Sequence, residues 1–374
     1  MLALSILVVL VWIYLFALHS SFWRPRLIPV NKSTSAARVA VIVPARDEAA
    51  YIGACIRALL AQSFAGDLRI FLVDDHSSDA TAAVARGAAV GHLSRLKVIE
   101  APELPTGWTG KVWAQQQGWL AAQGFDPDYV WLTDADIVHE PDMLSRLIAQ
   151  VENGKYELVS LMVRLHCEDL AERILIPAFV YFFFMLYPPL AIELRSRRIA
   201  GAAGGCMLMR SDAIEGMGGF AAIRSAVIDD CALAAMVKRN GGRIWLGLAD
   251  SSRSIRPYEG WGGIRDMIAR TAFSQLRHSA LLLGGCVIGM ALVFLAPVAL
   301  LALAHGIASA LAIAACVLMF ATYAPMQRFY SQNVLYALTL PLAAVFYCYA
   351  TVLSAIRYWR GEGGTWKQRV QDHG

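Results

Sequence analysis

From Leu2 to Phe22 the chain is almost continuously apolar, and apolar stretches return over 281–326 and 334–356. Segments of this length suit a hydrocarbon core about 30 Å thick. They restrict the chain to a membrane protein with a polar part between its apolar ends. Composition agrees: 57% of the 374 residues are hydrophobic and 17% charged, where about a quarter is usual for soluble domains. No Lys or Arg precedes the first run, while Arg24, Arg26, Lys32 and Arg38 follow it. That pattern predicts an anchor over 1–23 with its N-terminus outside and the next domain in the cytoplasm, rather than a cleaved signal peptide. The net charge of +4 comes without any dense Lys/Arg block, which argues against nucleic acid as a partner. Seven scattered cysteines without a C-x-x-C pair imply reduced, structural thiols.

After a polar linker at 31–37 the pattern becomes strand–helix alternation: a strand at 39–43, a helix at 48–62, a strand at 68–73, a helix from about residue 80, a strand at 96–99 and then the stretch 130–137, a strand with a polar end. Such alternation implies an α/β fold with a mostly parallel central sheet, whose ligands bind beyond the carboxyl ends of the strands. Three of these ends are polar: Pro44, Arg46 and Glu48 after the first, Asp74 and Asp75 after the second, Asp134 and Asp136 after the last. Asp134 and Asp136, one residue apart, would leave an extended strand on the same face. Two readings are open there: oxygen ligands for a hard divalent cation, or a solvated turn with Asx capping.

Gly107-Trp-Thr-Gly-Lys111 is a glycine-rich loop entering a helix, where backbone amides and one Lys would meet an anion, or a plain loop. Residues 175–192 form another apolar run, broken by Pro177, Pro188 and Pro189. A crossing there would put the motifs before and after it on opposite sides, so an interfacial helix at 174–192 is expected. Gly204 and Gly205 permit close backbone approach to a ligand, or tight packing. Asp212 with Glu215 resembles a capping box. Asp229 and Asp230 open another helix, either as dipole-favoured acids or with one as a general base. An amphipathic interface segment is expected at 251–279, about three transmembrane helices at 280–357 and a basic tail at 358–374. With an outside N-terminus and four crossings, the tail with Arg357, Arg360, Lys367 and Arg369 would end outside, against the positive-inside bias.

The ordered set Val41-Ile-Val-Pro-Ala-Arg-Asp-Glu48, Asp74-Asp75, Gly110-Lys111, Asp134-Ala-Asp136, Gly204-Gly205 and Asp229-Asp230 resembles a family 2 glycosyltransferase of the GT-A fold over residues 38–280, its domain being drawn at 38–250. The apolar ends, Gly107 to Lys111 and Arg256-Pro-Tyr-Glu-Gly-Trp261 are similar to the bacterial hopanoid-biosynthesis-associated glycosyltransferases, a subgroup related to ceramide glucosyltransferases. The resemblance implies a nucleotide-sugar donor, taken as a UDP-sugar, a membrane lipid acceptor and a bacterial inner-membrane location with the catalytic domain facing the cytoplasm. It implies that Pro44, Arg46 and Glu48 border the nucleotide, with Lys111 on the donor side, and that Asp75 contacts base or ribose. It further implies that Asp134 and Asp136 hold Mg²⁺ or Mn²⁺ on the diphosphate, that Asp230 is the base of an inverting transfer, and that Gly204, Gly205 and Asp229 line the acceptor side. Asp229 stands where the family has Glu, and Gln275-Leu-Arg-His278 is a degenerate form of the Gln-x-x-Arg-Trp of processive members, which disfavours a polymerising synthase. Two alternatives stay open: transfer to a polyprenyl phosphate at Arg195, Arg197 and Arg198, and a catalytically inactive membrane scaffold.

Overall fold

The computed structural model describes residues 1–362, 365–366 and 369–370, so eight residues of the expected tail at 358–374 lie outside the described residues. In chain order the elements are α1 (Leu2–Ile13), β1 (Arg38–Ala45), α2 (Ile52–Leu60), β2 (Asp67–Asp74), α3 (Thr81–Ala88), β3 (Leu96–Glu100), α4 (Gly110–Ala122), β4 (Tyr129–Thr133) and β5 (Ile137–His139). There follow α5 (Met143–Gly154), β6 (Leu158–Arg164), α6 (Leu170–Leu186), α7 (Pro189–Glu193), β7 (Cys206–Arg210), α8 (Ser211–Gly216), α9 (Asp229–Arg239) and β8 (Ile244–Ser254). The chain closes with α10 (Gly260–Gln275), α11 (Ala280–Met290), α12 (Ala296–Leu303), α13 (Ile307–Phe329) and α14 (Leu340–Trp359). It divides into a sheet unit, Arg26–Leu165 with Ile192–Arg256 and the described residues from Thr365, and a helical unit of Met1–Pro25, His166–Ala191 and residues 257–362.

In the sheet unit, eight strands form one sheet in the order β3-β2-β1-β4-β7-β6-β8-β5. The first four run parallel as expected. Beyond them the sheet is mixed: β7 is antiparallel to β4 and β6, β8 parallel to β6, and β5 antiparallel to β8. Strand periodicity explains the two layers over it. Val39, Val41 and Val43 pack with Ile56 and Leu59 of α2 and with Leu147 and Ile148 of α5. The alternate residues face the other way: Ala40 packs with Ala122 and Val73 with Ala114, both of α4. Each fully buried aliphatic side chain of this kind contributes about 1.5–3 kcal/mol. Helix α4 seats closely because of Gly118, where an added Cβ would come within 2.4 Å of Ile42 Cγ2.

Several boundaries differ from the sequence reading. The helix expected at 48–62 begins only at Ile52, because Asp47 takes a positive φ of 52° and the Glu48 amide is bound by Thr81 Oγ1 at 2.8 Å. Asp134 and Asp136 do not continue a strand: β4 stops at Thr133, and Ile137 N returns to Asp134 O at 3.2 Å in a tight turn. The argument that both carboxylates share a strand face therefore fails. The interface segment expected from residue 251 starts later, since β8 pairs with β5 through Ser254. Arg26 to Ile28 also join the sheet unit, through Leu248 N to Arg26 O at 2.8 Å and Ile28 N to Leu248 O at 3.1 Å, so this unit begins before residue 38. No cap forms at Asp212, which pairs with Arg210 instead; a capping box sits at Asp169 and Glu172.

In the helical unit, the N-terminal apolar helix ends at Leu18, short of the expected Phe22. Among the described residues four helices are long and apolar enough to cross a membrane by length and composition: Leu170–Glu193, Ala280–Leu303, Ile307–Phe329 and Val334–Trp359. They differ in environment. The first is 67% buried by its neighbours and Ala280–Leu303 only 17%. Some polar groups inside the unit pair with each other: the hydroxyls of Tyr181 and Thr322 are 2.9 Å apart, and Tyr347 donates to Leu175 O at 3.0 Å. The seven cysteines are free.

Candidate active site

The parallel strands end together, and the polar residues that follow them meet side chains from α4, α9 and the end of β8. Two clusters result. In the first, Lys111, at the start of α4, places its Nζ 2.9 Å from Asp134 Oδ1 and 3.6 Å from Asp229 Oδ2. Gln115, one helical turn further on the same face, donates Nε2 to Asp229 Oδ2 at 2.8 Å. The loop before α4 is tied to the loop before α9 by Thr109, whose amide and hydroxyl donate to Arg224 O at 2.8 Å and Ala226 O at 3.2 Å. That tie brings Lys111 to the N-terminus of α9.

Asp230 is held by two backbone amides: Gly204 N to Oδ2 at 2.8 Å and Cys231 N to Oδ1 at 2.7 Å. A side chain at position 204 would crowd the cluster, since an added Cβ would lie 3.3 Å from both Asp230 Oδ2 and Lys111 Nζ. Burial, and then the neighbouring charge of Asp229, push the Asp230 carboxyl up to about 7, with Lys111 and the two amides opposing. For Lys111, burial alone would lower the pKa, but Asp134 and Asp229 outweigh it and keep the ammonium charged. One cation thus serves three acids.

In the second cluster, the guanidinium of Arg256 contacts Glu48, lies 3.4 Å from Asp136 Oδ2 and stacks 4.5 Å over the ring of Tyr51. Asp136 also accepts from Ser254 Oγ at 2.7 Å, and its carbonyl from Ile255 N at 3.0 Å. Beside these, Arg46 spans the buried Asp75, donating to its carbonyl at 2.5 Å and lying 3.6 Å from Oδ2.

The site residues read from sequence are therefore placed unevenly. Lys111, Asp134, Gly204, Asp229 and Asp230 come together; Glu48 and Asp136 meet through Arg256; Arg46 and Asp75 pair with each other. Pro44 is buried in β1 opposite Val73. Gly205 turns its carbonyl to Thr133 Oγ1 at 2.9 Å and its Cα against Val163, a packing position. Gln115, Ser254 and Arg256 were not identified as site residues. The four-residue step from Lys111 marked Gln115, but Arg256, which follows a strand far along the chain, stood out only as the start of Arg256-Pro-Tyr-Glu-Gly-Trp261, with nothing local to pair it with Glu48 and Asp136.

Among the described residues no group of three or more His, Cys, Asp or Glu is arranged to hold a metal ion. The chemistry still suits one: Asp134 and Asp136 are hard oxygen donors, 37% and 16% exposed, and Mg²⁺-type ions are held by one or two carboxylates plus substrate phosphates.

Known structures resemble this chain to differing degrees. A mannosyltransferase, PcManGT from Pyrobaculum calidifontis, solved in complex with GDP-Man and Mn²⁺, superposes with a TM-score of 0.57 at 19% identity, over 92% of this chain and 98% of its own. S. aureus TarS matches with a TM-score of 0.41 at 17% identity, over 63% of this chain and 40% of its own. Glucosyl-3-phosphoglycerate synthase from Mycobacterium tuberculosis, with Mg²⁺ and uridine-diphosphate, gives 0.40 at 18%, over 59% and 72%. No curated protein matches by sequence. The first superposition shows a GT-A-like fold, and the family described as Glycosyltransferase like family 2 matches residues 36–270. More than half of the chain is matched, so this protein belongs to the family 2 glycosyltransferases.

Proposed function

We propose that this protein is an inverting glycosyltransferase that moves a sugar from a nucleotide-sugar donor, a UDP-sugar for preference, to a membrane lipid, in hopanoid or related glycolipid biosynthesis at the bacterial inner membrane. One observation carries the chemistry: Asp230 has its carboxylate fixed by two amides beside Lys111, Asp134 and Asp229, with its acidity weakened to about 7. A general base works best with a pKa near the working pH and typically contributes about 10² to 10⁴ in rate. One such base, removing the acceptor hydroxyl proton, suits direct displacement with inversion.

Lys111 and the N-terminus of α4 offer positive charge to the donor's diphosphate, while the pair Arg46–Asp75 borders the nucleotide side. Mg²⁺ or Mn²⁺ held by Asp134 and Asp136 would neutralise charge on the leaving diphosphate. Arg256 and Ser254 orient Asp136 for that role.

The membrane setting is supported by the apolar helices and by sheet continuity. Residues on both flanks of Leu170–Glu193 are hydrogen-bonded into one sheet, β4 to β7 and β6 to β8, which supports reading this helix as interfacial rather than as a crossing. The test is transfer from radiolabelled nucleotide sugars to extracted bacterial lipids by the full chain in nanodiscs. A lipid-soluble labelled product formed by the wild type and lost in Asp230→Asn supports the reading. Transfer to water alone, or full activity in that variant, overturns it.

A further inference from the structure

Away from the acidic clusters, the sheet unit gathers positive charge at an open cleft of about 530 Å³ lined by Lys155, Glu193, Leu194, Arg195 and Arg243. Its acid is already engaged: Arg26 Nη2 lies 2.6 Å from Glu193 Oε2, and the Tyr156 hydroxyl donates to Oε1. The Arg243 guanidinium stacks 4.8 Å over Tyr156 and donates to Gly154 O at 2.5 Å, which fixes it at the cleft wall. Lys238 Nζ donates to the carbonyls of Leu194 at 2.7 Å and Arg197 at 3.3 Å, folding this loop against the end of α9. Lys155, Arg195 and Arg243 line the cleft against the single acid Glu193.

We propose that this cleft docks the headgroup of an anionic phospholipid and holds the sheet unit against a negatively charged leaflet. Three observations select a lipid over other polyanions. The loop starts where the 24-residue apolar helix Leu170–Glu193 ends, a helix long and apolar enough to meet a membrane. Leu194, half-exposed at 52%, puts an apolar side chain among the bases, as an interfacial segment needs. The bases are mostly Arg, whose planar fork matches phosphate oxygens in pairs. The inference rests on the membrane setting proposed above, but it is read out by lipid retention rather than by sugar transfer.

The experiment is native mass spectrometry of the full chain released from nanodiscs of mixed phosphatidylglycerol and phosphatidylcholine. The wild type should retain phosphatidylglycerol preferentially, and the preference should weaken in high salt. Combined Arg195→Gln, Arg197→Gln and Arg198→Gln substitutions, all at exposed loop positions, should cut it by about fivefold per charge, from roughly 1 kcal/mol for each base near an anionic surface. Lys155→Gln with Arg243→Gln is the second variant, with the melting temperature of each checked against wild type. Equal retention of the two lipids, or an unchanged preference in both variants, overturns the proposal. Displacement of phosphatidylglycerol by inorganic phosphate alone would make it a free-phosphate site, and selective retention of a polyprenyl phosphate would make it an acceptor site; either also overturns it. Transfer assayed in parallel keeps the two readings separable: lost transfer with intact lipid preference leaves the docking cleft standing.

Discussion

The two clusters at the strand ends use the same ingredients in different proportions. Around Lys111 a single ammonium serves Asp134, Asp229 and Asp230, while around Arg256 a guanidinium sits between just Glu48 and Asp136. The first is short of positive charge, and burial together with the neighbouring charge of Asp229 pushes the Asp230 carboxyl up. The second is nearly balanced, and each of its groups is fixed by a specific bond. The lesson is a division of labour: an under-neutralised acid suits proton abstraction, and a neutralised one suits holding something in place.

The most severe test of this contrast is Asp230→Asn, which should lower transfer by about 10² to 10⁴ while nucleotide binding, followed by calorimetry, stays within a fewfold of wild type. Its stability should move the other way. A carboxyl whose folded pKa is raised opposes folding once pH exceeds its unfolded value of about 3.9. The Asn variant should therefore melt no lower than wild type at pH 8, and a large drop would mean that the residue is structural.

Next in size is Lys111→Met. With its cation gone, the first cluster should lose donor binding by one to two orders of magnitude, about what a charged hydrogen bond of 1.5–3 kcal/mol supplies. The pH profile sharpens the same point. Because the base acts deprotonated, the wild-type rate should rise about tenfold per pH unit below the Asp230 pKa of about 7 and flatten above it. In Lys111→Met the rising limb should shift to higher pH, since Lys111 is what holds that pKa down. An unshifted limb would remove Asp230 as the base.

The balanced cluster should respond more mildly. Arg256→Gln should raise the Mn²⁺ or donor concentration needed for half-maximal rate with kcat nearly kept, and Arg256→Lys should restore only part, lacking the forked contact to two acids. Ser254→Ala, removing one 2.7 Å bond to Asp136, should cost about 0.5–1.5 kcal/mol of that affinity. Effects of equal size in both clusters would erase the distinction between them.

Sequence reading reached the first cluster better than the second, for a physical reason. The step from Lys111 to Gln115 is a local helical relation, and acids at the start of a helix, as at Asp229 and Asp230, are recognisable in place. The splitting of Asp134 from Asp136 was hidden because it depends on a turn that begins where β4 stops, and extended geometry gave the wrong faces. Arg256 was hidden by distance: it reaches Asp136 only because β8 pairs with β5, after an apolar helical excursion that separates β6 from β7. The parallel half of the sheet was legible from strand–helix alternation; the mixed half, set by non-local pairing, was not.

Gly118 has a reach beyond packing. The helix that carries Lys111 and Gln115 can sink toward β1 only as far as that residue lets it, and an added methyl would meet Ile42 at 2.4 Å. The height of a charged side chain above the strand ends is thus set two turns away, by an atom the residue lacks. Enlarging that position would retune the site like a shim under a lens mount, shifting focus while every polar group stays in the sequence.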